Sequence, residues 1–148
     1  MLIHELTVDE CRDVLKRTNL GRLACARHDQ PYIVPIHFDF DADGDSIYSF
    51  STLGQKIDWM RANPKVCLEV DDIADKSHWT TVVVIGRYQE LTDSPGHQGA
   101  RDRARDLFEK RREWWFPAAA KLPTEERSVP VVYRIRIDRL SGRRASTG

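Results

Sequence analysis

The residues with the chemistry to hold a ligand gather between positions 47 and 64. Ser51 and Thr52 carry hydroxyls, Gly54 permits a tight turn, and Lys56 adds an ammonium. Leu53, Ile57 and Met60 fall at i, i+4 and i+7, so a short helix with one apolar stripe follows. Ser51 and Thr52 are placed to cap it. Asn63-Pro64 ends it, because proline disfavours the α region for the residue before it. Lys56 then lies in the first helical turn, where the helix dipole opposes a cation. A bound anion reverses that sign. Two hydroxyls, free backbone N–H groups and an ammonium together suit a phosphate. The same residues also describe a capped surface helix with a solvated lysine, and the stretch alone leaves both readings open.

The rest of the chain carries little self-contained chemistry. It has no Ser-His-Asp or Cys-His constellation and no H-E-x-x-H motif. His4, His28, His37, His78 and His97 include no two at a metal-ligand spacing, so no metal is expected. Gly54-Gln55-Lys56 is far too short for a Walker loop. Cys11, Cys25 and Cys67 are odd in number and widely spaced, which suggests neither a disulfide framework nor a zinc site. No catalytic side chain is assigned, and a cofactor would have to carry any reaction. His37 is either a rim or core histidine or a hydrogen-bond partner for a ligand edge. Trp79 is either a core or interface anchor or an aromatic wall against a flat ring. Trp114 and Trp115 diverge by about 100° on a helix, so one is available to cover a neighbouring subunit or a pocket mouth. Arg139, Arg143 and Arg144 read as a solvated basic tail, with a weak role in anion binding as the alternative.

The elements that must position these residues follow from periodicity. Thr7-Val8-Asp9-Glu10 is a capping box. The helix behind it runs to about Thr18, with Val8, Cys11, Val14 and Leu15 inward and Asn19-Leu20-Gly21 as a left-handed stop. Six strands follow. Leu23 to Ala26 is the first, and Tyr32 to Phe38, after the turn His28 to Pro31, is the second. Pro35 cannot donate to a ladder, so that strand needs an edge, a bulge or an interruption there. Ile47 to Ser51 comes after an aspartate-rich turn from Asp39 to Asp45. Val66 to Val70 precedes a polar loop, Asp71 to Ser77. Trp79 to Leu91 is the longest strand. Its continuous apolar run, Val82 to Ile85, predicts cover on both faces. Gly86 predicts a bend or bulge. Ser94-Pro95 opens a helix to about Glu113, striped by Ala100, Ala104, Leu107 and Phe108. Val131, Tyr133, Ile135 and Ile137 alternate through the sixth strand. Residues 141–148 are expected to fray.

No repeat or linker divides the chain, so residues 1–148 read as one domain. Short turns without βαβ alternation favour a mainly β class, an antiparallel barrel with added helices. The 148 residues are 41% apolar and 31% charged, with zero formal net charge. That balance gives no field to attract nucleic acid or an acidic membrane. The N-terminus is not a signal peptide and no apolar run reaches membrane-spanning length, so a reducing cytoplasm is the default.

Six segments, taken in order, carry a family resemblance: Leu20-Gly-Arg-Leu23, Pro31-Tyr-Ile-Val-Pro-Ile-His-Phe38, Ile47-Tyr-Ser-Phe-Ser-Thr-Leu-Gly-Gln-Lys56, Asn63-Pro-Lys-Val66, Trp79-Thr-Thr-Val82 with Gly86-Arg-Tyr-Gln-Glu-Leu91, and Arg134 to Arg143. The chain resembles the pyridoxamine 5′-phosphate oxidase-like FMN-binding split barrels, and within them the branch of the nitroimidazole-resistance flavoproteins. The resemblance implies a six-stranded antiparallel split β-barrel that forms a homodimer, with FMN at the interface. It places Ile33, Val34, Pro35, Ile36 and His37 beside the isoalloxazine. Ser49, Phe50, Ser51 and Thr52 would lie along the flavin and its phosphate tail. Gln55 and Lys56 match an Arg-Lys pair that grips the phosphate in the oxidases. Thr81 matches a glutamine that contacts the ring, Trp79 opens the same strand, and Trp115 is a candidate at the pocket mouth.

Three departures qualify what is carried over. Gln55 replaces an arginine and removes a charge from the phosphate site. Tyr48-Ser49-Phe50 lacks the histidine that the nitroimidazole-resistance branch often carries there. The substrate-binding arginine and histidine of true pyridoxamine phosphate oxidases are absent near the C-terminus. The implied activity is therefore an FMN-dependent oxidoreductase that passes reducing equivalents from NAD(P)H to a small electrophile. The alternatives are a flavin-binding or storage module without turnover, or the same barrel holding a deazaflavin or haem.

Overall fold

The computed structural model describes residues 1–110 and 130–148. The elements are β1 (Leu2–Glu5), α1 (Val8–Arg17), β2 (Leu20–Arg27), β3 (Gln30–His37), β4 (Asp39–Asp41), β5 (Ser46–Ser51), α2 (Gln55–Ala62), β6 (Lys65–Asp75), β7 (His78–Glu90), a 3-10 turn (Pro95–His97), α3 (Gln98–Lys110) and β8 (Val131–Ser146). The strands form one antiparallel sheet in the order β3-β2-β6-β7-β8-β5-β4, with β1 added to β8. The mainly β, antiparallel class with added helices is as the sequence indicates. All six expected strands are present, and β1 and β4 are short additions.

The two ends of this order are joined by the chain rather than by a ladder. β3 and β4 lie at opposite ends, yet only Phe38 separates them in sequence. Phe38 is fully buried and its N–H donates to the Asn19 carbonyl at 2.9 Å. The Ser49 hydroxyl donates to the His37 carbonyl at 2.8 Å, which ties β5 to the end of β3. A split barrel results, with Leu23, Leu68, Val70, Val82 and Ile135 in its core. Pro35 lies on β3, an edge strand, where no second ladder needs its missing N–H.

Several local expectations are corrected. Residues 141–148 do not simply fray: Ser141 to Ser146 complete β8 and pair with β7 and β1. The alternation signal fades there because neither neighbour's hydrophobic pattern is visible in β8 itself. Asp71 to Asp75 extend β6 rather than forming a loop, and Asp39–Asp41 is a strand within the expected turn. In β6 these charged residues are at least partly exposed, whereas in β4 the buried Asp41 is held by Arg103 at 3.0 Å. α1 has its capping box, but Val8 is exposed and the helix ends in an extended Thr18. Gly21 is not a left-handed stop. It lies in β2, where a Cβ would come 2.9 Å from the Glu69 carbonyl oxygen. In α2, Ile57 and Met60 are buried while Leu53 precedes the helix and is exposed. Val82 and Val84 are fully buried, but Ile85 is not, so among the described residues only one face of this run is covered.

Gly86 is where the β7–β8 register shifts, as its position predicts. A Cβ there would sit 2.4 Å from the Arg136 carbonyl oxygen. Gly86→Ala forces strand backbones apart, and overpacking of this kind costs about 1–3 kcal/mol. The urea midpoint is expected to fall accordingly; an unchanged midpoint contradicts the close approach.

Candidate cofactor site

β5 delivers Ser51 and Thr52 to the start of α2. These hydroxyls do not cap the helix, because β5 runs to Ser51 and the turn through Leu53 and Gly54 intervenes. Gly54 is the N-cap and supplies no side-chain bond; the first helical bond runs from the Asp58 N–H to the Gly54 carbonyl at 3.0 Å. Ser51 donates instead to the Thr52 carbonyl at 3.0 Å. The N–H groups of Gln55, Lys56 and Ile57 therefore lack partners within the helix.

Lys56 is half-buried, and among the described residues it makes no ion pair or hydrogen bond. Burial pulls its ammonium pKa down, while the nearby Cys25 thiol pushes the other way. Cys25 itself is buried on β2, and burial pushes its thiol up against the pull of Lys56. A partly dehydrated ammonium without a carboxylate favours an incoming anion. The turn that carries Thr52 and Leu53 leads into α2, and at Gly54 an added Cβ would meet nothing within 4 Å. The donor set fits a phosphate. Gln55 is exposed and neutral, so the cradle holds one formal positive charge.

A second group lies at the barrel seam. Ser49 is buried and bonded to the His37 carbonyl. Across the β5–β8 ladder it faces Tyr133, whose phenol burial pushes up to about 12 while Ser49 draws it back. Val34 and Ile36 point into the core. Phe50 turns toward α3, edge-on to Phe108 at a ring distance of 5.3 Å.

A third group shares the outer face of the sheet from β3 to β7 and the end of β8; α3 covers that face only at its β5 end, through Tyr48, Phe50 and Val132. Register partners define its rows: Ile33, Ala24, Cys67, Ile85 and Arg139; then Pro35, Arg22, Glu69, Val83 and Ser141; then Asp71, Thr81, Arg143 and Glu5; then Ile73, Trp79, Ala145 and Ile3. Thr81 lines a groove of about 360 Å³ with Val83, Leu140 and Arg143. Ile33 and Ile73 are more than 60% exposed, which marks the face as apolar in part.

The structure thus sets Ser51 at the end of β5, Thr52 in the turn after it, and Gln55 and Lys56 in the first turn of α2; it joins His37 to Ser49, and sets Ile33, Pro35, Trp79 and Thr81 on the outer face. It does not gather all of them into one pocket of a single chain. Trp115 lies outside the described residues. Sequence reasoning missed Cys25 under Lys56, and the cluster in which Arg22 holds Glu69 at 3.6 Å and Asp71 at 3.2 Å. The i, i+2 carboxylates of β6 were the available signal for the second. At the seam, Ser49→Ala leaves the His37 carbonyl without this donor. A loss of about 1 kcal/mol is expected in chemical denaturation; unaltered stability would show that water replaces the hydroxyl.

Comparison with known proteins agrees with this architecture. A protein of Rhizobium meliloti (strain 1021), itself uncharacterized, is 42% identical over 151 residues, spanning 100% of this chain and 99% of its own. A crystal structure of a protein of Mesorhizobium loti, named as FAD-binding, is 41% identical, covers 99% of this chain and 100% of that one, and superposes with a TM-score of 0.82. A candidate 5-nitroimidazole antibiotic resistance protein of Bacteroides thetaiotaomicron shares the fold at 14% identity and a TM-score of 0.67, over 97% of this chain and 89% of that one. The pyridoxamine 5′-phosphate oxidase family profile matches residues 7–144, and the chain belongs to that family.

Proposed function

We propose that this chain is a flavoprotein oxidoreductase of the reducing cytoplasm, working as a homodimer with FMN held at the interface. The observation that carries the cofactor is Lys56, half-buried in the first turn of α2 that follows Ser51 and Thr52, without a carboxylate partner. Lys56 and the free N–H groups hold the phosphate, and the two hydroxyls orient it. Alternate backbone groups of β3, from Ile33 to Ile36, face outward on an edge strand toward the ring edges. Bound flavin supplies hydride chemistry, taking reducing equivalents from NAD(P)H for a small electrophilic substrate. The protein's part is to position the ring and exclude water. A second copy of the chain covers the outer face. In favour of it are the exposed Ile33, Ile73 and Ile85.

A second reading is FAD. The 41%-identical Mesorhizobium loti protein is named as FAD-binding. The single-cation cradle also suits a phosphate diester, which carries less charge than the roughly −1.5 to −2 of a monoester at pH 7.

The absorption spectrum of purified protein, with mass analysis of the released ligand, tests both. Released FMN supports the first reading and FAD the second. A deazaflavin or haem, or a colourless protein that takes up no flavin, overturns both. Bound flavin that NAD(P)H does not reduce leaves a storage module and overturns the oxidoreductase. Lys56→Ala is expected to weaken flavin binding roughly 10- to 150-fold, from the 1.5–3 kcal/mol of a charge-assisted contact. Fluorescence titration reads this directly, and unchanged affinity places the phosphate elsewhere.

A further inference from the structure

The outer face carries one cluster that the cofactor reading does not use. Glu69 and Asp71 stand two residues apart on β6, so both project to the same side. Nη1 of Arg22, on the neighbouring β2, lies 3.6 Å from Glu69 and 3.2 Å from Asp71. One guanidinium therefore serves two carboxylates, and the cluster carries a net negative charge when both are ionised. One guanidinium holds both carboxyls, so the two negative groups are close neighbours. Burial pushes the Glu69 carboxyl up first, Asp71 pushes it further, and Arg22 pulls it back.

The cluster lies mid-face. It is flanked by Val83 and Thr81 on β7 and by Pro35 across Arg22 on β3. The other titratable or charged groups on this face include Lys65 and Cys67 on β6, Arg87 on β7 with its ion-pair partner Asp138, Arg139 and Arg143 on β8, Glu5 on β1, and His37 on β3 opposite Leu20. Arg143 is 3.9 Å from Glu5 and already has a partner. No second cation bonds Glu69 or Asp71 among the described residues.

We propose that Arg22, Glu69 and Asp71 form a proton-linked latch on the homodimer, in which closing the outer face takes up one proton per chain at the carboxyl pair. The inference rests on the homodimer reading above. Covering the face removes water from a cluster with one excess negative charge, and desolvation favours its neutral form. The Glu69 carboxyl is raised in the free chain and raised again in the dimer. Association therefore binds protons, so the dimer is tightest at low pH and loosens as pH rises through the raised dimer value. The window opens above the ordinary glutamate value of about 4.3.

Equilibrium dissociation of the full chain with its bound cofactor, followed with fluorescently labelled protomers from about pH 5.5 to about pH 8, tests this. Wild-type dissociation is expected to rise at least tenfold across the range, one proton being worth up to about tenfold per pH unit. Glu69→Gln is expected to retain the low-pH affinity at high pH and flatten the dependence. Asp71→Asn gives the same readout should the first variant fold poorly. A dimer whose affinity ignores pH overturns the latch and leaves the homodimer standing. So does a slope that survives both substitutions, which assigns the proton to another group such as His37. A chain that is monomeric at every pH overturns the homodimer reading itself, and the latch with it.

Discussion

The pairing of β7 with β8 is the contact on which the rest of the structure depends. It runs from Trp79 to Glu90 on one strand and from Tyr133 to Ala145 on the other. β8 then holds β5 along its first half and β1 along its last residues. The position of β5 fixes where Ser51 and Thr52 emerge, and hence where α2 begins. Two glycines permit the approach. At Gly86 a side chain would collide with the Arg136 backbone, and at Gly142 with the Thr81 carbonyl oxygen. Both are needed for space rather than for unusual dihedral angles.

The sheet has two unlike faces, and period-two alternation keeps them apart. Val34, Leu23, Leu68 and Val84 are register partners across the inner face. Ile33, Ala24, Cys67 and Ile85 form the matching row outside. α1 and α2 bury Val14, Leu15, Ile57 and Met60 against the inner side of the split barrel. The outer face mixes isoleucines with ion pairs. That composition is intermediate between core and solvent.

Lys56 is the least settled charge in the described structure. A lysine in the first turn of a helix meets an opposing dipole, and this one is also partly dehydrated above a buried thiol. Folding alone has no reason to favour that placement. An anion at the same point would reverse both terms at once, since the dipole and the ammonium then act in the same direction. The unfavourable local electrostatics are thus the strongest physical sign of a ligand in this region.

The sequence by itself determined the strands whose apolar residues alternate, the capping box at Thr7, the short α2 with Lys56 in its first turn, and the bulge at Gly86. Each of these rests on neighbours within a few residues, where periodicity and dihedral preference act directly. The tertiary structure decided the rest. Ser141 to Ser146 become a strand because β1 and β7 supply ladder partners that no local pattern announces. Ser51 and Thr52 lose the capping role because β5 keeps Ser51 in its ladder with β8. Gly21 turns out to be a packing glycine because β6 passes close beside it. Cys25 reaches Lys56, and Arg22 reaches two carboxylates on β6, only because strands distant in sequence are brought into register. Contacts of that kind depend on pairing across the sheet, and pairing is a property of the whole chain rather than of any stretch within it.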